Sequence, residues 1–233
     1  MIKYHGLTTL EVLEEAENYN KWIADQFLPH LKGPILEIGS GTGNISGFFS
    51  KKSKIFLSDI DKGLISHLKK KYPKNKKQII YLNIEKNTPK KFTGYFKTII
   101  GINVLEHVKY DNKALKNLHS MLSKNGRLLL LIPAKKLAYT DLDRRLGHFR
   151  RYEKEELEIK LSKTGFKIEK LYSFNLVGLI SWVVRNSIEK GNHLRGYQVI
   201  IFDKIVPILR IIEGIFPPPF GVSYIVRAKK SNK

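Results

Sequence analysis

The sequence of 233 residues contains no cysteine. This absence excludes disulfide bonds, thiolate metal sites and any reaction with a cysteine nucleophile, and it fits a reducing compartment. The chain also lacks a run of about 18 uninterrupted apolar residues, the length that a membrane-spanning helix requires. Residues 1–9 lack the apolar core of a signal peptide. We therefore expect a cytoplasmic protein.

Acidic residues are scarce, because 21 Asp and Glu stand against 42 Lys and Arg, which gives a formal net charge of +21. A field of this sign favours anionic partners such as nucleic acid, a phosphorylated substrate or an anionic membrane surface. Most of the excess is lysine in short, scattered runs, which are also typical of a solvated surface. The charge alone leaves both interpretations open.

Apolar segments typical of strands alternate with segments of helical periodicity along most of the chain. The predicted strands are residues 35–39, 54–58, 79–83, 97–103, 127–132, 167–174 and 222–229. The predicted helices are residues 8–28, 45–51, 63–72, 111–122 and 153–164. This alternation predicts an α/β fold in which helices cover both faces of a parallel sheet. We predict one domain over residues 1–233, with an insertion at 175–219 between the last two strands.

The first predicted strand runs into the segment Glu37-Ile38-Gly39-Ser40-Gly41-Thr42-Gly43. Glycines let the backbone turn sharply and approach a ligand, while the N-terminus of the next helix offers amide donors. Asp59 follows Gly39 by 20 residues, where a carboxylate can bond the ribose hydroxyls of an adenosine cofactor. A dinucleotide fingerprint requires glycine where Asn44 stands. The spacing disfavours NAD, and a carboxylate at Glu37 suits a cationic ligand.

These motifs resemble those of the class I S-adenosylmethionine (SAM)-dependent methyltransferases. The resemblance covers about residues 19–174 and the last strand. Residues 82–85 lie where the family flanks adenine, although Asn83 stands where the family usually has Asp. Residues 102–108 resemble the family segment after strand four, which commonly ends V-L-E-H, and residues 122–133 resemble its turn and fifth strand.

The resemblance implies a Rossmann-like sheet of seven strands, mostly parallel with the last strand antiparallel, and SAM as the cofactor. Its ligands are expected at the carboxyl ends of the strands. The implied cofactor-binding residues are Glu37, Gly39, Ser40, Gly41, Gly43, Asp59, Ile60, Asn83, Ile84 and Asn103. We predict no metal site.

Methyl transfer from a sulfonium mainly requires a correctly placed nucleophile, and an oxygen acceptor also requires a base. The candidate bases are His148 and His107, which follow predicted strands five and four. The segment G-H-x-R-R-Y at residues 147–152 resembles one in small bacterial methyltransferases of glycan or lipid pathways. The candidate substrate-binding residues are Tyr19, Glu106, Arg150, Arg151 and Tyr152.

Each of these predictions has an alternative. The two arginines can hold a phosphate or carboxylate, or they can pair with Glu153, Glu155 or Glu156. Tyr19 and its neighbour Trp22 either close over the cofactor or simply pack. The insertion either packs against the sheet as a lid or dimer face, or lies on an anionic membrane surface. In the second case the protein is peripheral at the inner membrane surface.

The sequence thus predicts SAM-dependent methyl transfer to a small or glycan- or lipid-linked, anionic acceptor. RNA methylation is an alternative that the net charge favours. However, no Asn/Asp-Pro-Pro-Tyr/Phe motif follows strand four, and the basic residues show no aromatic interleaving. A regulator that binds the cofactor without catalysis is a third interpretation. The sequence leaves the oligomeric state open.

Overall fold

Seven strands form one sheet in the computed structural model, which describes residues 14–49, 54–188 and 196–231. The strand order is β3-β2-β1-β4-β5-β7-β6. Neighbours among β1 to β5 pair in parallel, whereas β7 is antiparallel to both β5 and β6. The strands are β1 (Ile35–Ile38), β2 (Ile55–Asp59), β3 (Ile79–Tyr81), β4 (Phe96–Ile102), β5 (Leu122–Pro133), β6 (Phe166–Phe174) and β7 (Ser223–Lys230). This topology confirms the predicted Rossmann-like fold with an antiparallel last strand.

The described residues also form eight α-helices, which lie on both faces of the sheet. They are α1 (Glu17–Phe27), α2 (Ser46–Phe49), α3 (Lys62–Lys71), α4 (Asp111–Met121), α5 (Asp141–Arg145), α6 (Lys154–Lys163), α7 (Leu176–Ile188) and α8 (Gly196–Ile215). Helices α4 and α6 bury apolar residues in the core on one face, and α1, α3 and α8 do so on the other. Strand β5 serves both cores, because Leu128 and Leu130 belong to the first and Leu129 and Leu131 to the second. Successive side chains of a strand point to opposite faces, so a strand between two cores is apolar throughout.

Most predicted boundaries differ from those of the structure by one or two residues, and the larger differences concern α1 and β5. Helix α1 begins at Glu17 and ends at Phe27, and the residues predicted to cap it at its start lie outside the described ranges. Strand β5 begins at Leu122 rather than at residue 127, since Leu122 pairs with Phe96 before the register shifts. The predicted helix at 45–51 is described only for Ser46–Phe49.

Helix α8 supplies acidic caps to two other helices. The Asp203 carboxylate accepts hydrogen bonds from the amides of Asn18 (3.2 Å) and Tyr19 (2.8 Å) in the first turn of α1. The Glu213 carboxylate accepts them from the amides of Asn175 (3.0 Å) and Leu176 (2.8 Å) at the start of α7. These amides have no partner within their own helix, and a negative charge there also offsets the helix dipole. The two acidic side chains therefore fix α8 against α1 and α7.

Candidate active site

The glycine loop after β1 takes a backbone conformation that only glycine adopts without strain. Gly39, Gly41 and Gly43 have φ angles of 60°, 55° and 81°. A Cβ atom on Gly39 would lie 2.5 Å from Cγ2 of Val104, which follows β4. Real Cβ atoms do not come this close to a branched side chain, so any larger residue displaces the loop. The loop is thus a close-packed cradle of the kind that adenosine cofactors use.

Asp59, at the end of β2, organises this loop. Its two carboxylate oxygens accept hydrogen bonds from the amides of Gly41 (3.0 Å) and Asp61 (2.9 Å). Ser40 ties the same loop to β2, because its hydroxyl accepts from the Ser58 amide at 3.2 Å. Burial raises the pKa of Asp59, and the amide hydrogen bonds partly offset that rise. Each oxygen keeps a lone pair that can accept from a ribose hydroxyl.

Glu37 lies beneath the loop and is almost completely buried, with 4% of its surface exposed. Its Oε2 atom has no hydrogen-bond partner among the residues that the structure describes. Burial raises the pKa of this carboxyl to about 8. A buried carboxylate in this state favours a cationic partner, which restores the lost solvation. Glu37, the glycines and Asp59 therefore fit SAM, which carries a positive sulfonium and ammonium.

The other predicted cofactor residues follow neighbouring parallel strands, so they come to the same edge of the sheet. Ile60 follows β2 and is 43% exposed, whereas Ile84, after β3, is buried. The Asn83 side chain accepts a hydrogen bond from the Glu85 amide at 2.9 Å, and so shapes the turn after β3. Asn103 has a φ angle of 51°, and its amide bonds Leu131 of β5 at 2.9 Å. All remain predicted cofactor contacts.

The raised pKa of Glu37 predicts how the stability of the cofactor-free protein depends on pH. The folded state holds this proton up to about pH 8, whereas the unfolded chain releases it near the ordinary value of 4.5. The free energy of unfolding should therefore fall as the pH rises through that interval. We expect Glu37→Gln to leave the Tm nearly unchanged at about pH 5 but to raise it by about 5–10 °C at about pH 8.5.

Thermal unfolding without cofactor at the two pH values measures this effect. Glu155→Gln, at an exposed position in the first turn of α6, is the matched control and should shift neither Tm. An equal change in Tm at both pH values for Glu37→Gln would contradict the argument.

A second cluster lies on the loops after β4 and β5. Glu106 and His107 belong to the 3-10 turn Leu105–His107, and His148 follows α5. The rings of His107 and His148 are 4.6 Å apart and almost perpendicular. The Phe149 amide bonds the Glu106 carbonyl oxygen at 2.8 Å, which joins the two loops. Burial lowers the pKa of His107 to about 4, so this imidazole is neutral at physiological pH.

His148 is oriented by Asp143, a residue that the sequence analysis missed. The His148 Nδ1 atom lies 2.8 Å from Oδ1 of Asp143, which is completely buried. Burial alone would raise the pKa of Asp143, but the hydrogen bond from His148 and the charge of Arg151 lower it overall. Since an ionised carboxylate only accepts, Nδ1 carries the proton and Nε2 is the nitrogen that can accept one. The capping box of Asp143 with Thr140 is the sequence signal that marks it as a fixed residue.

Arg151 and Tyr152 lie deeper than the sequence analysis expected. Arg151 is 3% exposed, and its Nε donates to both carboxylate oxygens of Asp143 at 3.0 and 3.1 Å. Its guanidinium also lies over the Trp182 ring of α7, 4.7 Å from the centroid. Tyr152 is fully buried and bonds Asp111 at 3.0 Å. These contacts favour structural roles for both residues over the predicted contact with substrate.

The Arg150 guanidinium is partly accessible to a ligand, whereas the Tyr19 ring packs against other aromatic rings. The Arg150 guanidinium pairs with Asp111 at 2.9 Å and remains partly exposed. Neither arginine pairs with the glutamates at 153, 155 or 156 in the described part of the chain; Glu153 and Glu156 instead contact Lys135 and Lys136.

The Tyr19 ring contacts Trp22, Phe174 and Phe202. These ring contacts favour packing for Tyr19 over a lid role.

A Rossmann-like sheet with a glycine cradle, an acid at the end of β2 and a buried carboxylate is typical of one class of enzymes, the class I methyltransferases. Residues 12–171 match the protein family described as "Methyltransferase domain", and the chain belongs to this family. It is a SAM-dependent methyltransferase, and SAM is its cofactor. When bound, SAM supplies the electrophilic methyl group.

Relatives of known sequence or structure agree with this assignment. Polyketide synthase PksR of Bacillus subtilis is 32% identical in an alignment of 114 residues, which covers 44% of this chain but only 4% of the synthase. A SAM-dependent methyltransferase structure from Thermotoga maritima has a TM-score of 0.64 at 15% identity, covering 96% of this chain and 95% of that one. The CMeT domain of the citrinin polyketide synthase has a TM-score of 0.60 at 15% identity, covering 92% and 53%. At these identities the two structures support the fold.

Proposed function

We propose that this enzyme methylates a small or glycan- or lipid-linked, anionic acceptor. The observation that carries the proposal is the imidazole of His148, which follows β5 and α5 and is held by Asp143 at 2.8 Å. An oriented imidazole that can accept a proton suits an acceptor whose hydroxyl or similar group must lose one. The partly exposed guanidinium of Arg150 suits an acidic group on the acceptor. The similarity to polyketide synthases supports a small-molecule acceptor more than RNA.

Transfer of a tritiated methyl group from SAM tests this proposal. The purified enzyme is incubated with separate fractions of anionic small molecules, lipids, glycans and RNA, and label is counted in each. We expect label in one of the first three. His148→Ala should keep the affinity for SAM but slow the transfer by about 10²–10⁴-fold, the usual contribution of a positioned base. Label that appears only in RNA would overturn the proposal in favour of RNA methylation.

The outer face of α8 favours a lipid-linked acceptor. Ile201, Ile205, Ile208, Ile212 and Ile215 recur at helical spacing and are 39–66% exposed. The inner face packs against α1 and carries the two acidic residues of the helix, whereas both of its cations, Lys204 and Arg210, are exposed. Lys204 is exposed beside this apolar stripe, whereas Arg210 is paired with Asp25 of α1. The stripe, on a chain with a net charge of +21, is complementary to an anionic bilayer surface.

Among the helices in the described ranges, none is both long enough and apolar enough to cross a membrane. The exposed isoleucines of α8 and the net charge of the chain lead us to propose that α8 lies on the surface of an anionic bilayer, which would bring a lipid-linked acceptor to the enzyme. This proposal concerns location and is independent of the acceptor's reacting atom.

Co-sedimentation with vesicles measures this contact. The enzyme should bind phosphatidylglycerol vesicles more tightly than phosphatidylcholine vesicles, and added salt should weaken that binding. Ile208→Ser with Ile212→Ser should lower the affinity at least about tenfold, because each buried isoleucine contributes about 1.5–3 kcal/mol. Ile159→Ser, at an isoleucine of α6 that is 55% exposed, is the matched control and should have no effect. Binding that ignores lipid charge, or a dimer in sedimentation velocity that the double variant abolishes, would contradict the proposal.

A further inference from the structure

The carboxylate of Glu106 is the least satisfied polar group on the loops after β4 and β5. The residue is 0% exposed, and neither of its carboxylate oxygens has a hydrogen-bond partner in another described residue. A carboxylate removed from water in this way is costly unless a cation joins it. The nearby cation, Arg151, is already bonded to Asp143.

Two imidazoles complete a set of metal ligands around this carboxylate. One ligand atom each from Glu106, His107 and His148 lies within 4.8 Å of the other two. In a facial or tetrahedral set, metal bonds of about 2.0–2.2 Å place ligand atoms about 3–3.5 Å from one another, so side-chain shifts of up to about 2 Å close the set. Two histidines and one carboxylate are a known facial set for divalent transition metals, and they leave coordination positions open.

The surroundings of both imidazoles also match those of metal ligands. Metal-bound histidines almost always donate their other ring N–H to a carboxylate or a backbone carbonyl. His148 donates from Nδ1 to Asp143 at 2.8 Å, and the His107 ring makes a hydrogen bond with the backbone of Gly147. The two rings are therefore held by a carboxylate and a backbone group, the partners that usually orient metal-binding histidines.

We propose that Glu106, His107 and His148 bind one divalent transition-metal ion, and that oxygen atoms of the anionic acceptor complete its coordination. The binding of the acceptor to the ion rests on the proposed function, whereas the binding of the ion itself does not. When the ion is bound, the two imidazoles are ligands, and the ion takes over from His148 the role in removing the acceptor's proton that the proposed function gives to that imidazole. A hydroxyl of the acceptor that binds the ion has its pKa lowered and releases its proton to solvent.

Titration of the chelator-treated full chain with Co²⁺, followed by visible absorption, tests the site. We expect one Co²⁺ per chain at micromolar concentrations. Loss of even an outer hydrogen bond to a ligand costs about 10–100-fold in affinity, so Glu106→Gln and His148→Ala should each weaken binding at least about 100-fold. Asp143→Asn should weaken it about tenfold. His67→Ala, on the exposed side of α3, is the control and should bind as the wild type does.

Calorimetric SAM binding on the same samples separates this inference from the enzyme's assignment, since SAM should bind equally with and without Co²⁺. Absence of Co²⁺ uptake by the wild type would overturn the inference, as would equal affinity in Glu106→Gln, an isosteric variant whose fold is checked by its thermal unfolding. Methyl transfer that proceeds at full rate after metal removal would overturn the inference that the acceptor binds the ion. Failure of methyl transfer with every acceptor, metal-loaded or not, would count instead against the proposed function.

Discussion

Asp59→Ala is expected to abolish tight SAM binding, with an affinity loss of about 10²–10⁴-fold, because two hydrogen bonds to a charged acceptor contribute about 1.5–3 kcal/mol each. The substitution also releases the amides of Gly41 and Asp61, which Asp59 holds at 3.0 and 2.9 Å. Both effects act in the same direction, since a looser glycine loop must be ordered again on binding. Isothermal titration calorimetry with SAM measures the loss.

Two comparisons make this prediction specific. Asp59→Asn keeps one side-chain oxygen acceptor and should bind SAM with intermediate affinity. Glu155→Ala changes an exposed acid on α6 and should bind normally. NAD should bind to none of the variants, because Asn44 occupies the place of the third glycine that a dinucleotide loop requires. An Asp59→Ala variant that is folded and binds SAM as tightly as the wild type would remove Asp59 from the cofactor site.

The positions of the glycine loop and Asp59 in the fold could be predicted because their determinants are local in the sequence. A strand, three glycines at fixed spacing and an acid 20 residues later bring Gly39 and Asp59 to adjacent parallel strands by topology alone. Strand β5 could also be predicted from the sequence, since a strand buried on both faces must be apolar throughout. The predicted start of β5 was wrong, because Leu122 already pairs with Phe96. The register between β4 and β5 then shifts over a segment that contains Asn125, which has a φ angle of 62°.

The second half of the site depends on contacts between distant segments, which no local pattern encodes. Tyr152 bonds Asp111, 41 residues away, and Lys160 bonds the same carboxylate across 49 residues. Asp203 caps α1 across 184 residues. The G-H-x-R-R-Y segment contains His148 and Arg151, but the carboxylate that holds both is Asp143, which lies outside that segment. Which arginine faces solvent follows from that pairing and not from the residue type.

The pair of Asp143 and Arg151 carries the largest stability effect that we expect. Asp143→Ala leaves the buried guanidinium without its counter-charge, and breaking a buried ion pair in this way costs about 3–5 kcal/mol. It also removes the capping box with Thr140 at the start of α5. A chain of this size loses about 2–4 °C in Tm for each kcal/mol, so the Tm should fall by about 10 °C or more.

Removing both charges at once tests whether the uncompensated guanidinium is the cause. Asp143→Ala with Arg151→Leu should recover much of the lost Tm, because an apolar side chain beside Trp182 needs no counter-charge. The double variant should still transfer methyl groups poorly, since His148 has lost the carboxylate that fixes its ring. Stability and activity are thus expected to separate. If the double variant is no more stable than Asp143→Ala, the cost lies in the cap and in the packing. If it recovers activity together with stability, Asp143 serves the fold and His148 does not depend on it.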